Sequence, residues 1–173
     1  VISCTRKGTI YARQAGASSA SGDIIVQADA DTLYPEDWLS RIASYFFTHP
    51  ESVALAGRYV YQNDPYWAKL EYFLRHTANL LCLLFLKNAG CVSGANFAFR
   101  REAFLKVNGY NPLALSPDQW GIAHRLSKAG KVSYNKTLVV ATSRRRVQKP
   151  FGIIIWEFTA NTSQVLLYFL KHC

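Results

Sequence analysis

Asp29 and Asp31 stand one residue apart at the end of "IIVQADADTL", an apolar run that reads as a buried strand. Side chains alternate along a strand, so two acids at i and i+2 point the same way if the chain stays extended past Gln27. In open α/β sheets, ligands bind just beyond the carboxyl end of a strand. Two carboxylates held together there repel unless a cation or proton intervenes. A hard divalent ion such as Mg²⁺ takes one or two carboxylates plus substrate phosphate oxygens. The pair therefore predicts a seat for a metal-bound diphosphate, with Asp29 and Asp31 as ligands. The letters "DADT" also read as a solvated turn in which Asp31 and Thr32 cap the helix after Pro35, because acids are common in turns.

The elements that must position this pair alternate between helix and strand. "ARQAGASSAS", 12–21, is a small-residue helix ended by Gly22, and it feeds a strand over 24–26. Pro35, Glu36 and Asp37 open a second helix whose apolar residues Trp38, Ile42, Tyr45 and Phe46 follow a helical period. "SVALAGRYVY", 52–61, returns as a strand. A long helix over 66–87 carries Glu71, Arg75 and Asn79 as one polar stripe on an apolar rod. "NFAFRREAFLKVNGY" is a short strand turning into a helix that stops at Asn108 and Gly109. Ser116 and Pro117 read as the cap and first position of another helix, running to Gly130. Two short strands, 132–134 and 138–142, precede the basic run "SRRR".

With 173 residues, half of them apolar, the chain can bury roughly 70 % of its unfolded surface around one core. A formal net charge of +9 favours anionic partners: nucleic acid, acidic lipid headgroups or a phosphate-bearing substrate. Cys4, Cys82, Cys91 and Cys173 show neither zinc-site spacing nor a disulfide framework, which points to a reducing compartment. Starting at Val1 with no Met anywhere, the chain is expected to lack its native amino terminus. Beyond Pro150, "FGIIIWEFTANTSQVLLYFLK" puts Glu157, Asn161 and Gln164 on one narrow face. This predicts an amphipathic or membrane-proximal helix over 151–173 rather than a simple span.

"YARQAGASSASGDIIVQADADTLYPEDWL" resembles the donor-binding half of glycosyltransferase family 2, enzymes with the nucleotide-diphospho-sugar-binding GT-A fold. Arg13, Gly16, Ala20, Gly22, Asp29 and Asp31 carry the likeness. "VSGANFAFRREAFLKVNGYN" is similar to the family's acceptor-side G-x-N-x-x-x-R segment and its Gly-Gly-Tyr/Phe turn, with Asn108-Gly109 standing for the glycine pair. "SPDQWGIAHRLSKAGKVSY" occupies the place of the family's E-D segment, where Pro117-Asp118 has lost the first acid. The likeness runs from about residue 10 to 146. It implies a mixed α/β sheet flanked by helices, with the first βα unit missing and residues 1–150 forming the catalytic domain.

The resemblance also implies an inverting transfer: an acceptor hydroxyl attacks the anomeric carbon of a nucleotide-diphospho-sugar while nucleoside diphosphate departs. Asp118 is the expected general base, kept ionised in the first turn of its helix, where an acid also serves simply to stabilise the helix start. Asp31 would hold Mg²⁺ or Mn²⁺, with Asp29 helping through the metal or the ribose. Arg144 and Arg145 would serve the donor phosphates, with guanidinium forks matched to phosphate oxygens, and Arg13 would belong to the donor side. Gly94 would let the backbone approach a sugar and Asn96 would bond a hydroxyl, unless the two simply form a strand-entry loop; Arg100 would line the acceptor pocket, and Trp120 would offer an aromatic wall or, equally, belong to the core. The four histidines have no mutual metal spacing.

The expected acceptor is lipid-linked or a polysaccharide, met at the inner, cytoplasmic face of a membrane. A competing reading is a non-catalytic basic α/β module that grips anionic membrane through residues 144–149. Nucleic acid is not favoured, since the basic residues are not interleaved with aromatic stacking positions.

Overall fold

The computed structural model describes residues 2–63, 68–86, 92–111 and 118–144. Five strands lie within them: β1 (Ile24–Gln27), β2 (Thr32–Leu33), β3 (Ser52–Tyr61), β4 (Phe97–Arg100) and β5 (Lys131–Thr142). They form one mixed sheet in the order β1-β4-β3-β5-β2, with β3 and β5 parallel and the other three pairings antiparallel. The helices are α1 (Thr9–Ser19), α2 (Trp38–Thr48), α3 (Ala68–Leu86), α4 (Arg101–Lys106) and α5 (Asp118–Ser127).

Alternation along β3 and β4 divides the core in two. Ala54, Ala56, Phe97 and Phe99 face one side, where they meet Ala17 of α1, Phe104 of α4 and Ile122 and Leu126 of α5. Leu55 and Ala98 face the other side and meet Trp38, Ile42 and Phe46 of α2. The small residues of β3 leave room for the Phe97, Phe99, Phe104 and Tyr110 rings, whose successive centroids are 5.4, 5.2 and 5.7 Å apart. The result is a sheet with helices on both faces.

Two features of this frame differ from the expected elements. Residues 131–142 make one strand, with a register jump between Gly57 and Arg58 of β3, where Asn135 and Val139 are the successive partners. Residues 136–138 bulge out of the ladder and divide the hydrophobic pattern into what read as two strands. β2 was not anticipated, because two residues carry too little periodicity to register.

The turn after α4 follows the expected logic. Asn108 and Gly109 adopt φ of 57° and 61°, and the Gly109 N–H donates to the Phe104 carbonyl at 2.9 Å. Asn tolerates this left-handed backbone better than most residues, so one glycine suffices where the family resemblance implies two. The helix expected beyond Pro150, Arg145, and Ser116 and Pro117 lie outside the described residues. Among the described residues no helix is long and apolar enough to cross a membrane.

Candidate active site

The strand that delivers the acids ends at Gln27, and a turn follows in which the Thr32 N–H donates to the Asp29 carbonyl at 3.2 Å. The expectation of an extended chain through 31 is therefore corrected. The turn, rather than strand alternation, brings both acids to one place. Asp29 and Asp31 line the same cleft of about 410 Å³, with Tyr59 and Tyr61 from the end of β3, Ser93 and Ala95 from the loop before β4, and Thr142 and Ser143 from the end of β5. The turn is tied to β5 by the Ser143 N–H, which donates to the Asp31 carbonyl at 3.0 Å, and by a 3.0 Å hydroxyl contact between Thr32 and Thr142. It does not cap α2: Asp37 is the residue before that helix.

Tyr34 is a site residue that the sequence did not reveal. Its hydroxyl accepts the Asp29 N–H at 2.8 Å and donates to the Ala95 carbonyl at 3.0 Å. Burial pushes the phenol pKa up, and the negative charges of Asp29 and Asp31 add to this, so the group stays protonated at neutral pH.

On the far side of Asp29, the Arg13 guanidinium of α1 stands 3.6 Å from the carboxylate, with 20 % of the Arg13 side chain exposed. Gln119, the second residue of α5, turns its amide oxygen to the same guanidinium, accepting from Nε at 3.0 Å and Nη2 at 3.1 Å. Its nitrogen donates to the Gln27 side-chain oxygen at 2.9 Å. Gly94 makes this possible: a Cβ there would sit 2.6 Å from Arg13 Nη2 and 2.8 Å from the Gln119 amide. The glycine thus gives its space to Arg13 and Gln119.

The other end of α5 is held as well. Arg125 donates from Nη1 to the Gly109 carbonyl at 2.6 Å and from Nη2 to the Val107 carbonyl, while Gln14 of α1 accepts the Tyr110 N–H at 2.7 Å. Asp118 enters through its backbone, as the first residue of α5. The fold therefore brings Asp29, Asp31, Arg13, Gly94 and the start of α5 together. Arg144 directly follows Ser143 at the cleft edge and is exposed, with Nη1 3.5 Å from the Asn63 carbonyl.

Three expected acceptor contacts belong elsewhere. Asn96 is 0 % exposed: its amide nitrogen donates to the Arg58 and Leu138 carbonyls, each at 2.8 Å, and its oxygen accepts the Trp38 indole N–H at 3.0 Å. It bolts β3, β5 and α2 together, and Gly57 leaves room for it, since a Cβ there would collide with the Asn96 side chain. Arg100 pairs with Ile24, at the opposite end of β1 from the acids. Its guanidinium lies over the Phe46 ring and donates to the Ser52 and Phe46 carbonyls at 2.9 and 2.8 Å, satisfying backbone near the end of α2. Trp120 is 4 % exposed and stacks on His124 with ring centroids 5.5 Å apart, as part of the core.

Residues 1–107 match the family described as Glycosyl transferase family 2, well over half of the chain. The chain belongs to the glycosyl transferase family 2. Over 129 residues it is 27 % identical to the glucosyl-dolichyl phosphate glucuronosyltransferase of Haloferax volcanii, covering 64 % of this chain and 37 % of the relative. Its fold is similar to that of the mannosyltransferase PcManGT from Pyrobaculum calidifontis, solved in complex with GDP-Man and Mn²⁺. The TM-score is 0.58 at 19 % identity, over 80 % of this chain and 37 % of that one. The family member described here thus has the GT-A architecture and spans a little over a third of the length of these two proteins.

Two carboxylates on one turn supply only hard oxygen donors, a set that suits Mg²⁺ or Mn²⁺. Among the described residues no group of three His, Cys, Asp or Glu could hold a metal ion by protein ligands alone.

Proposed function

We propose that this family 2 chain carries the donor and acceptor centre of an inverting glycosyltransferase, with residues 1–150 as its catalytic body. One observation supports this most directly. Arg13 touches both Asp29 and Gln119, so the turn bearing the acid pair and the helix start bearing Asp118 meet across a single side chain.

In this reading Asp29 and Asp31 would hold a divalent ion, which would supply positive charge against the donor's diphosphate. Arg13 and Arg144, with Arg145 beyond the described residues, add guanidinium donors around the leaving group. The acceptor hydroxyl attacks the anomeric carbon, and the bond from that carbon to the diphosphate oxygen breaks. The nucleoside diphosphate leaves with the electron pair, and Asp118 takes the hydroxyl proton.

A nucleotide-sugar donor and a metal accord with the GDP-Man and Mn²⁺ of the mannosyltransferase. A lipid-linked acceptor accords with the dolichyl phosphate in the name of the Haloferax volcanii relative. A saccharide acceptor fits the same chemistry. Contact with the inner face of a membrane through residues 144–173 completes the proposal, drawing on the basic run and the amphipathic pattern after it.

The test is donor hydrolysis and transfer by the full-length protein with Mn²⁺ or Mg²⁺, comparing Asp31→Asn and Asp118→Asn. Loss in both is expected. Parent-like rates in both would remove the catalytic assignment.

A further inference from the structure

We infer that Tyr34 is the positioning residue that holds the Asp29–Asp31 turn against the cleft wall in the geometry a diphosphate site requires. The inference rests on the donor-site reading above. The hydroxyl bridges the two sides of the cleft: it accepts the main-chain N–H of Asp29 and donates to the carbonyl of Ala95, 61 residues along the chain. Asp29 O lies 3.4 Å from the same hydroxyl, so both polar backbone atoms of the acid surround one side chain.

The ring is itself fixed. It packs on Trp38 at 4.1 Å between centroids, and the Trp38 indole N–H is held by the buried Asn96. A hydroxyl carried on a half-buried ring packed against the core is preorganised, with little rotamer freedom to lose when ligand binds. A phenylalanine at 34 would keep the packing on Trp38 while dropping both bonds.

Tyr34→Phe in the full chain tests the inference through two readouts. The first is hydrogen exchange at the Asp29 amide. Loss of its acceptor is expected to speed exchange about tenfold or more, while Thr142→Val, which removes the Thr32–Thr142 hydroxyl contact and keeps the groups around the Tyr34 hydroxyl, leaves that amide protected. The second is affinity for UDP and for GDP in the presence of Mn²⁺, measured by titration well below the unfolding temperature. About tenfold weakening for whichever diphosphate the parent binds is expected, since the ligand must then order the turn itself.

A folded Tyr34→Phe with parent-like exchange at Asp29 would overturn the inference, and so would faster exchange with unchanged affinity. If the parent binds neither diphosphate with Mn²⁺, the donor-site reading fails and takes the inference with it. That result is seen in the parent alone and is distinct from a failure of Tyr34.

Discussion

Arg13 and Asp29 face each other at 3.6 Å, and the guanidinium making this contact is also the one that Gln119 accepts from. A lysine placed there is a point charge without the planar fork whose separate nitrogens meet the two partners. Arg13→Lys is expected to raise the donor KM about tenfold. A partly exposed ion pair contributes only about 0–1 kcal/mol, so the same variant should unfold within about 1 kcal/mol of the parent. Steady-state kinetics beside thermal unfolding separates the two effects.

Metal removal is the second prediction. EDTA is expected to abolish donor turnover, with Mn²⁺ restoring it. Asp31→Asn should raise the Mn²⁺ concentration needed for half-maximal rate by at least the ~10-fold that an outer-shell change alone costs a metal site. Asp31 is exposed, so its replacement is expected to leave the unfolding transition in place. A Mn²⁺ titration of rate for parent and variant measures this.

Asp118→Asn is expected to lower kcat by about 10²–10⁴ while donor KM stays within a few-fold, because a proton acceptor acts in the transition state more than in binding. The acidic limb of the kcat profile should disappear with it. A parallel rise in donor KM would place Asp118 in donor binding instead.

Asn96→Leu should destabilise the fold without a selective effect on acceptor KM. It leaves the Trp38 indole N–H and the Arg58 and Leu138 carbonyls buried without their partner, and each such loss costs about 1–3 kcal/mol. Gly57→Ala attacks the same joint by overpacking and should cost about 1–3 kcal/mol. Denaturant unfolding gives both figures.

The architecture was legible where the pattern is local. "SVALAGRYVY" has the β-branched and aromatic make-up of a strand and is β3 over its full length. Asn108-Gly109 announced the end of α4. The acid pair was legible as a pair and "DADT" as a turn, but the bonds that hold the turn were not, because they come from Tyr34 and from Ser143, the latter over a hundred residues away. Asn96 and Arg100 misled for a common reason: a polar side chain that satisfies buried backbone carries the same letter as one that meets a ligand, and only the partners tell them apart. Gln119 was passed over beside Asp118, since nothing in a helix's first turn signals a partner on a helix far earlier in the chain.

Arg13 and Gln14 are consecutive residues of α1, yet one reaches the start of α5 and the other the turn that anchors its end through Arg125. Helix α5 is thus suspended from two neighbouring side chains, like a shelf hung from one bracket. Its placement follows from that bracket at the ends and from the burial of Ile122 and Leu126 between them. A one-residue slip within α1 would therefore tip it away from the acids.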